Sequence, residues 1–266
     1  MSALAALKWV ASRYLVGLAI VMAPSMSPAV DTLPSLIAQF KPSVLAVGFY
    51  KETQSPRFGF SGTGFIVGDG NLLVTNAHVI ARATKDDAGA GSLVVYTPGA
   101  SGQDSMRSLE VIEVDKAHDL ALLRFEGSSL PVLTLGPAQS AREGQTVAFI
   151  GFPLGSNLGL SPVTHRGIVS AITSVALPSP SARQLDSRAI KALKDGAFDL
   201  LQLDATAYPG NSGGPVFDAE TGAVVGVINM VALKGTRESA LTDPSGISYA
   251  IPVEHVLRLL ARNERK

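Results

Sequence analysis

The sequence predicts an all-β protein built as two six-stranded antiparallel β-barrels with a C-terminal helix. Three observations lead there. Short runs rich in Val, Leu and Ile recur along the chain, each bounded by Gly, Asp, Ser or Pro, as short strands are. They fall into two sets of six, residues 43–50, 64–67, 72–75, 93–96, 109–114 and 120–125, then 146–150, 163–175, 200–203, 216–218, 223–233 and 246–251. No helix alternates regularly with the strands, so the pattern is that of packed antiparallel sheets and not of βαβ units. A change of composition at residues 134–145, which contain Gly136-Pro137, marks the join between the sets.

Composition narrows the function. Of 266 residues, 46% are apolar and only 6% aromatic, which suits an aliphatic core and argues against disorder. Formal net charge is zero, so no overall basic field draws the chain to nucleic acid. Cysteine is absent, which excludes disulfides, thiol catalysis and cysteine-based zinc sites. The four histidines show no paired spacing of a metal site, and neither metal nor cofactor is expected.

In chain order, residues 1–29 read as a targeting segment: Lys8 and Arg13 precede an apolar run at 14–22, and Ser27-Pro28-Ala29 offers a cleavage point. The run is shorter than the ~20 residues of a comfortable membrane span. An exported protein, periplasmic or secreted, is expected; an uncleaved membrane anchor or an organelle transit peptide are the rival readings. The expected units are 30–135 and 136–266. Residues 31–40 suit a short helix. Residues 85–92 and 98–107 are polar and read as exposed loops. Residues 177–199 form an insertion opened by Pro178 and Pro180. Pro252 starts a helix over 252–263, with Val253, Val256, Leu257 and Leu260 at helical spacing.

The chemistry centres on Tyr208-Pro209-Gly210-Asn211-Ser212-Gly213-Gly214-Pro215-Val216-Phe217. Taken alone, such a cluster reads as a tight turn. A serine there also has close main-chain access to a ligand, and the N–H groups of Gly210 and Ser212 could form a pocket for an oxyanion. A serine needs a base. His78 closes the apolar run 72–75 and could stand rigidly at a cleft edge, whereas His118 and His165 read as solvated loop residues and His255 as helix surface or packing. Asp119 opens the apolar run 120–125, where a carboxylate needs a partner. The order His78, Asp119, Ser212, with gaps of 119 − 78 = 41 and 212 − 119 = 93 residues, is that of chymotrypsin.

Residues 43–262 resemble a trypsin-like, chymotrypsin-fold serine protease, and within that group the HtrA/Deg family. The resemblance rests on Ser61-Gly62-Thr63-Gly64-Phe65-Ile66, Thr75-Asn76-Ala77-His78-Val79, His118-Asp119-Leu120-Ala121-Leu122-Leu123, Gly167-Ile168-Val169-Ser170-Ala171, Gly210-Asn211-Ser212-Gly213-Gly214-Pro215 and Gly246-Ile247-Ser248-Tyr249-Ala250-Ile251-Pro252. It implies that Ser212 attacks the scissile carbonyl, His78 moves the proton and Asp119 orients the imidazole. The N–H groups of Gly210 and Ser212 would bind the oxyanion, with Asn211 shaping the loop. Thr206 would floor the specificity pocket, and Ile228, Asn229 and Met230 would wall it. No acid stands at the pocket floor, so cleavage after small or aliphatic residues of unfolded polypeptides is expected. The resemblance also implies a homotrimer formed through the N-terminal part of the protease domain. The family usually carries PDZ domains; this sequence ends 14 residues after Pro252 (266 − 252), so regulation through such a domain is not expected. A latent protease-fold chaperone or scaffold is the alternative. A serine esterase is disfavoured, because the nucleophile segment is not Gly-x-Ser-x-Gly.

Digestive trypsin-like enzymes place an aspartate before the serine, which pairs with a newly cut N-terminal ammonium; here that residue is Asn211. Activity is therefore expected without a cut just ahead of the first barrel. N-terminal sequencing of active protein checks this, and an activity-dependent cut at that place would contradict it.

Overall fold

The computed structural model describes residues 32–81, 91–97, 105–155, 159–175, 198–229 and 246–265. The targeting segment 1–29, the bulk of the 177–199 insertion and of the 85–92 and 98–107 loops, and Met230 lie outside the described residues.

Helix α1, Thr32–Phe40, leads into β1 (Val44–Tyr50), β2 (Phe58–Val67), β3 (Leu72–Asn76), β4 (Ser92–Thr97), β5 (Ser105–Ser108), β6 (Glu110–Asp115) and β7 (Leu120–Arg124). These strands form one antiparallel sheet in the order β5-β4-β1-β2-β3-β7-β6. Seven strands stand where six were expected, and the difference lies at Leu109. The two edge strands, β5 and β6, are successive halves of one segment interrupted at Leu109, whose N–H bonds Leu93 O at 3.0 Å. The first half pairs with β4 and the second with β7, so one bent strand curls the sheet toward closure. The sequence put 98–107 in a loop because Ser-Met-Arg-Ser in β5 is largely exposed and lacks apolar alternation.

The second set forms a closed six-stranded barrel, β10-β13-β12-β11-β8-β9. Its strands are β8 (Thr146–Gly151), β9 (Val163–Val175), β10 (Phe198–Asp204), β11 (Pro215–Asp218), β12 (Val224–Asn229) and β13 (Ile247–Pro252). Each barrel has its own apolar interior, with Leu45, Ile66, Leu73 and Leu123 in the first and Phe149, Leu203, Val216 and Ile228 in the second. A third cluster fills the seam, where Phe65, Val74 and Leu122 of the first barrel meet Ile150, Phe217 and Val227 of the second. Strands with one face inside a barrel and the other at the seam are apolar on both faces. That explains continuous runs such as Leu72-Leu73-Val74.

Helix α2, Val253–Asn263, packs Val253, His255, Val256 and Leu259 inward. The periodicity had favoured Leu257 over Leu259 and left His255 undecided; His255 is only 3% exposed. Its ring lies 3.9 Å from that of His118, and Phe198 stands edge-on to both. His118 is thus no solvated loop residue, since its Nδ1 also bonds the Asp115 carboxylate at 3.0 Å. Arg262 of α2 reaches the same carboxylate at 3.0 Å, tying the helix to the first barrel. Burial works against the Asp115 charge, but hydrogen bonds from His118 and Arg262 outweigh it and hold the carboxyl well below its usual pKa. Burial, followed by repulsion from His118 and Arg258, lowers His255 to about 4 from the ordinary 6.5, although Asp115 and Asp199 pull the other way.

His255 is therefore neutral in the fold and takes a proton more readily once unfolded. Between pH 6.5 and about 4 the unfolded chain binds the extra proton, so stability falls as the solution is acidified through that window. Asp115 adds a further loss below its unfolded value of 3.8. One proton gives a slope of up to about 1.4 kcal/mol per pH unit. Urea midpoints measured from pH 7.5 to 4.5 are expected to fall along this slope, and His255→Phe to flatten it; a wild-type midpoint independent of pH would contradict the assignment.

Candidate active site

Three chain segments bring the predicted residues to the seam. β3 ends at Asn76 and turns through a 3-10 segment, Ala77–Ile80, that carries His78. Asp119 occupies the turn just before β7, and Ser212 the loop between β10 and β11. Asp119 has the left-handed φ of +51°, uncommon for a non-glycine residue. The surroundings hold it there: its carbonyl accepts from Ala77 N at 3.1 Å and from Asn76 Nδ2 at 3.0 Å.

The Asp119 carboxylate takes three further bonds. Oδ1 accepts the His78 backbone N–H at 2.9 Å, and Oδ2 meets His78 Nδ1 at 2.6 Å. Oδ2 also accepts from Asn229 Nδ2 at 2.9 Å. An ionised carboxylate only accepts, so His78 Nδ1 carries its proton and Nε2 is left with a lone pair. Nε2 is the atom a general base uses. In this structure Ser212 Oγ makes no hydrogen bond to His78 Nε2; such bonds commonly tighten when substrate arrives.

The loop around Ser212 spends its carbonyls internally. Pro209 O accepts from Leu154 N at 2.8 Å, and Asn211 O from Gly214 N at 2.9 Å. Gly210 O accepts from Thr63 Oγ1 at 2.7 Å. Across a trans peptide the N–H points opposite to the carbonyl. Fixing Pro209 O and Asn211 O therefore turns the N–H groups of Gly210 and Ser212 the other way, and neither donates to any group among the described residues. Gly210 has φ +106°, and a Cβ there would strike Phe152 O. Gly213, at φ +86°, leaves no room for one against Thr63 O and Thr75 Oγ1. Both sites demand glycine.

Thr63 is a residue that the motif reading did not single out. It is fully buried. Besides its bond to Gly210 O, its N–H donates to Ser212 O at 2.8 Å, and its Oγ1 accepts from Phe152 N at 3.1 Å. The available signal was a lone threonine between two strand glycines, where another backbone approaches closely.

The residues assigned to the specificity pocket separate. Thr206 is half-buried, on a stretch pinned by Ser248, whose Oγ donates to Ala205 O at 2.7 Å and accepts from Ala207 N at 2.9 Å. Ile228 is fully buried in the core of the second barrel. The Asn229 amide is turned to Asp119, so it supports the His78–Asp119 pair. His165, expected in a solvated loop, lies within β9 with Nε2 3.4 Å from Asn211 Nδ2. Among the described residues no group of three or more His, Asp or Glu has the arrangement of a metal site, and no helix is long and apolar enough to cross a membrane.

Two β-barrels with histidine and aspartate on the first, and serine on the second, make the layout of a chymotrypsin-like serine peptidase. Residues 62–227 match the family model described as "Trypsin-like peptidase domain", and the chain belongs to that family. Its relatives are HtrA proteases. It is 30% identical over 235 residues to serine protease HTR4 of Bos taurus, covering 86% of this chain and 40% of that protein. It is 32% identical over 193 residues to a protein of Halomonas elongata described as "Probable periplasmic serine endoprotease DegP-like", covering 73% and 33%. Among solved structures, Deg5 superposes with a TM-score of 0.59 at 26% identity, covering 85% of this chain and 90% of that one. The chain spans two-fifths or less of the length of these two curated relatives.

Thr63→Val keeps the shape of the side chain and removes its hydroxyl, leaving Gly210 O and Phe152 N unpaired. Each unpaired buried group costs about 1–3 kcal/mol. The expected result is a lower urea midpoint together with slower fluorophosphonate labelling of Ser212; wild-type values for both would show that Thr63 does not hold the loop.

Proposed function

We propose that this chain is a serine endopeptidase that works through an acyl-enzyme. Ser212 Oγ attacks the scissile carbonyl carbon while His78 Nε2 takes its proton. The carbonyl oxygen becomes an oxyanion in reach of the Gly210 and Ser212 N–H groups. Collapse of the tetrahedral intermediate releases the amine, which receives the proton from His78. Water then repeats the sequence on the ester and frees Ser212. Asp119, braced by Asn229, keeps the imidazole in the required tautomer and stabilises the imidazolium.

One observation carries this reading over a latent chaperone or scaffold: the loop's carbonyls are bonded inward, which leaves the Gly210 and Ser212 amides without internal acceptors. A binding module has no use for that arrangement. Preformed donors act on the charge that develops during reaction, and losing one typically costs about 100- to 1000-fold in rate.

Substrates in this proposal are unfolded or misfolded polypeptides cut after small or aliphatic residues such as Val or Ala. Of the three acids between residues 200 and 229, Asp204 and Glu220 are exposed, and Asp218 is engaged by Glu220 N and Thr221 N of its own turn and by Gln145 Nε2. The residue that the resemblance puts at the pocket floor is Thr206, which has no charge to receive a lysine or arginine. The relative named as periplasmic supports export, with residues 1–29 as the signal or anchor. A homotrimer completes the proposal.

The full chain and Ser212→Ala are compared by fluorophosphonate labelling and by cleavage of a peptide library. Wild type is expected to label and to cut after Val or Ala. Ser212→Ala is expected to lose about a millionfold in kcat with its thermal midpoint retained. Hydrolysis by Ser212→Ala would overturn the nucleophile, and a profile dominated by Lys or Arg would overturn the specificity.

A further inference from the structure

Asn211 lies between the two residues whose N–H groups face the reaction. Its backbone is used on both sides, N–H to Tyr208 O at 3.0 Å and carbonyl to Gly214 N at 2.9 Å. Its side chain is fully buried. The side-chain amide makes one hydrogen bond, from Nδ2 to His165 Nε2 at 3.4 Å, and Oδ1 has no donor.

His165 reaches this amide from a fixed place. It lies opposite Phe149 across β9 and β8, and Phe149 lies opposite Val216 across β8 and β11. The line ends four residues beyond Ser212 (216 − 212). The imidazole is stacked on Phe149, with centroids 4.7 Å apart and planes 16° from parallel, and Tyr208 stands 6.0 Å away. Phe149 is fully buried, so the stack fixes the ring plane. Burial lowers the pKa of His165 and keeps the ring neutral near pH 7, with a lone pair on one nitrogen. With the amide nitrogen toward the ring, that lone pair is on Nε2 and accepts from Nδ2. The two ends of an amide have the same shape. With them exchanged, Nε2–H would donate to Oδ1, so the contact to His165 survives either way while the other end of the amide stays unpaired.

We propose that His165 is the positioning residue of the oxyanion loop, holding Asn211 so that the Gly210 and Ser212 N–H groups stay aimed at the substrate carbonyl oxygen. The proposal rests on the reading of Ser212 as nucleophile given above. The Asn211 Cα joins the peptide that ends in Gly210 C=O to the one that begins Ser212 N–H. A turn of this residue therefore swings the Ser212 donor. Where digestive trypsin-like enzymes hold an aspartate with an ammonium group, this chain holds an asparagine with a ring nitrogen.

The test uses the full chain with His165→Phe, His165→Ala and His165→Gln. Phe keeps the ring and its stack and removes the nitrogens; Gln restores an amide able to bond Asn211. Hydrogen exchange by mass spectrometry reads the order of residues 208–214, and steady-state kinetics reads kcat and KM. In the Phe and Ala variants we expect exchange confined to residues 208–214 to quicken by about tenfold, the worth of one hydrogen bond. We expect kcat to fall by about 10- to 100-fold, within the cost of a lost oxyanion donor, with KM within about twofold. Gln is expected to recover most of both. Unchanged exchange at 208–214 in His165→Phe, or a kcat there within about twofold of wild type, overturns the proposal. So does a Gln variant no better than Phe, because the effect would then belong to the ring stack. A wild type that neither hydrolyses peptides nor labels with fluorophosphonate overturns the reading of Ser212, and the exchange comparison still decides whether His165 holds the loop.

Discussion

The constraint on which the site depends is the grip of one strand, β2, on loops from both barrels. Ser61 and Thr63 stand two apart on that strand, at the bulge where its register with β1 shifts and Ser61 is left without a partner across the ladder. Ser61 Oγ donates to Val79 O at 2.6 Å, in the turn that carries His78. Thr63 binds Ser212 O through its N–H and Gly210 O through its hydroxyl. Thr75 of β3 closes the set by donating its Oγ1 to Thr63 O at 2.6 Å. His78 and Ser212 lie on different barrels, yet both are referred to one short stretch of extended backbone. A slip of β2 by one residue would re-aim both side chains and undo the two attachments together.

This grip explains why the seam is apolar but the site is not. Phe65, Leu122, Ile150 and Phe217 exclude water from the seam. In such surroundings every polar group needs a partner. The Asp119 carboxylate meets this demand with His78 and Asn229, and the Ser212 loop meets it with Thr63, Leu154 and Gly214. The groups left without internal partners are then conspicuous. Among them are Gly210 N–H and Ser212 N–H, and Asn211 Oδ1 sits between them in sequence.

Much of the fold was legible because burial on both faces writes unbroken aliphatic runs into the strands. β5 was hidden because its four residues are largely exposed and carry no such run. The His78, Asp119 and Ser212 segments stood out because each needs special neighbours, above all the glycines at 210 and 213. Thr63, Leu154, His118 and His165 were missed for a different reason. Apart from the Asp115 that His118 bonds three residues back, their partners lie far away in the chain, and no local pattern reveals them. Asn229 was placed by the resemblance as a pocket wall, and its amide bonds Asp119. For an isolated histidine solvation is the sensible expectation. It failed for His118 because His255 and Phe198 come from the other end of the chain to cover it.

Backbone strain falls at the same places. Four described non-glycine residues have positive φ, and two of them touch the site: Asp119 at +51° and Leu154 at +58°. A left-handed leucine costs about 1–2 kcal/mol, and nothing in its side chain repays that locally. Leu154 N–H, however, holds Pro209 O, the carbonyl whose peptide presents the Gly210 donor. Asp119 in the same backbone region offers its carbonyl to Asn76 and Ala77 while its carboxylate takes His78 twice. Glycine would adopt either conformation without strain, but it would visit many others as well. A stiffer residue held in a costly conformation by several bonds has one direction available to it. For the function proposed above, which depends on aiming two N–H groups and one imidazole, that single direction is the property the strain secures.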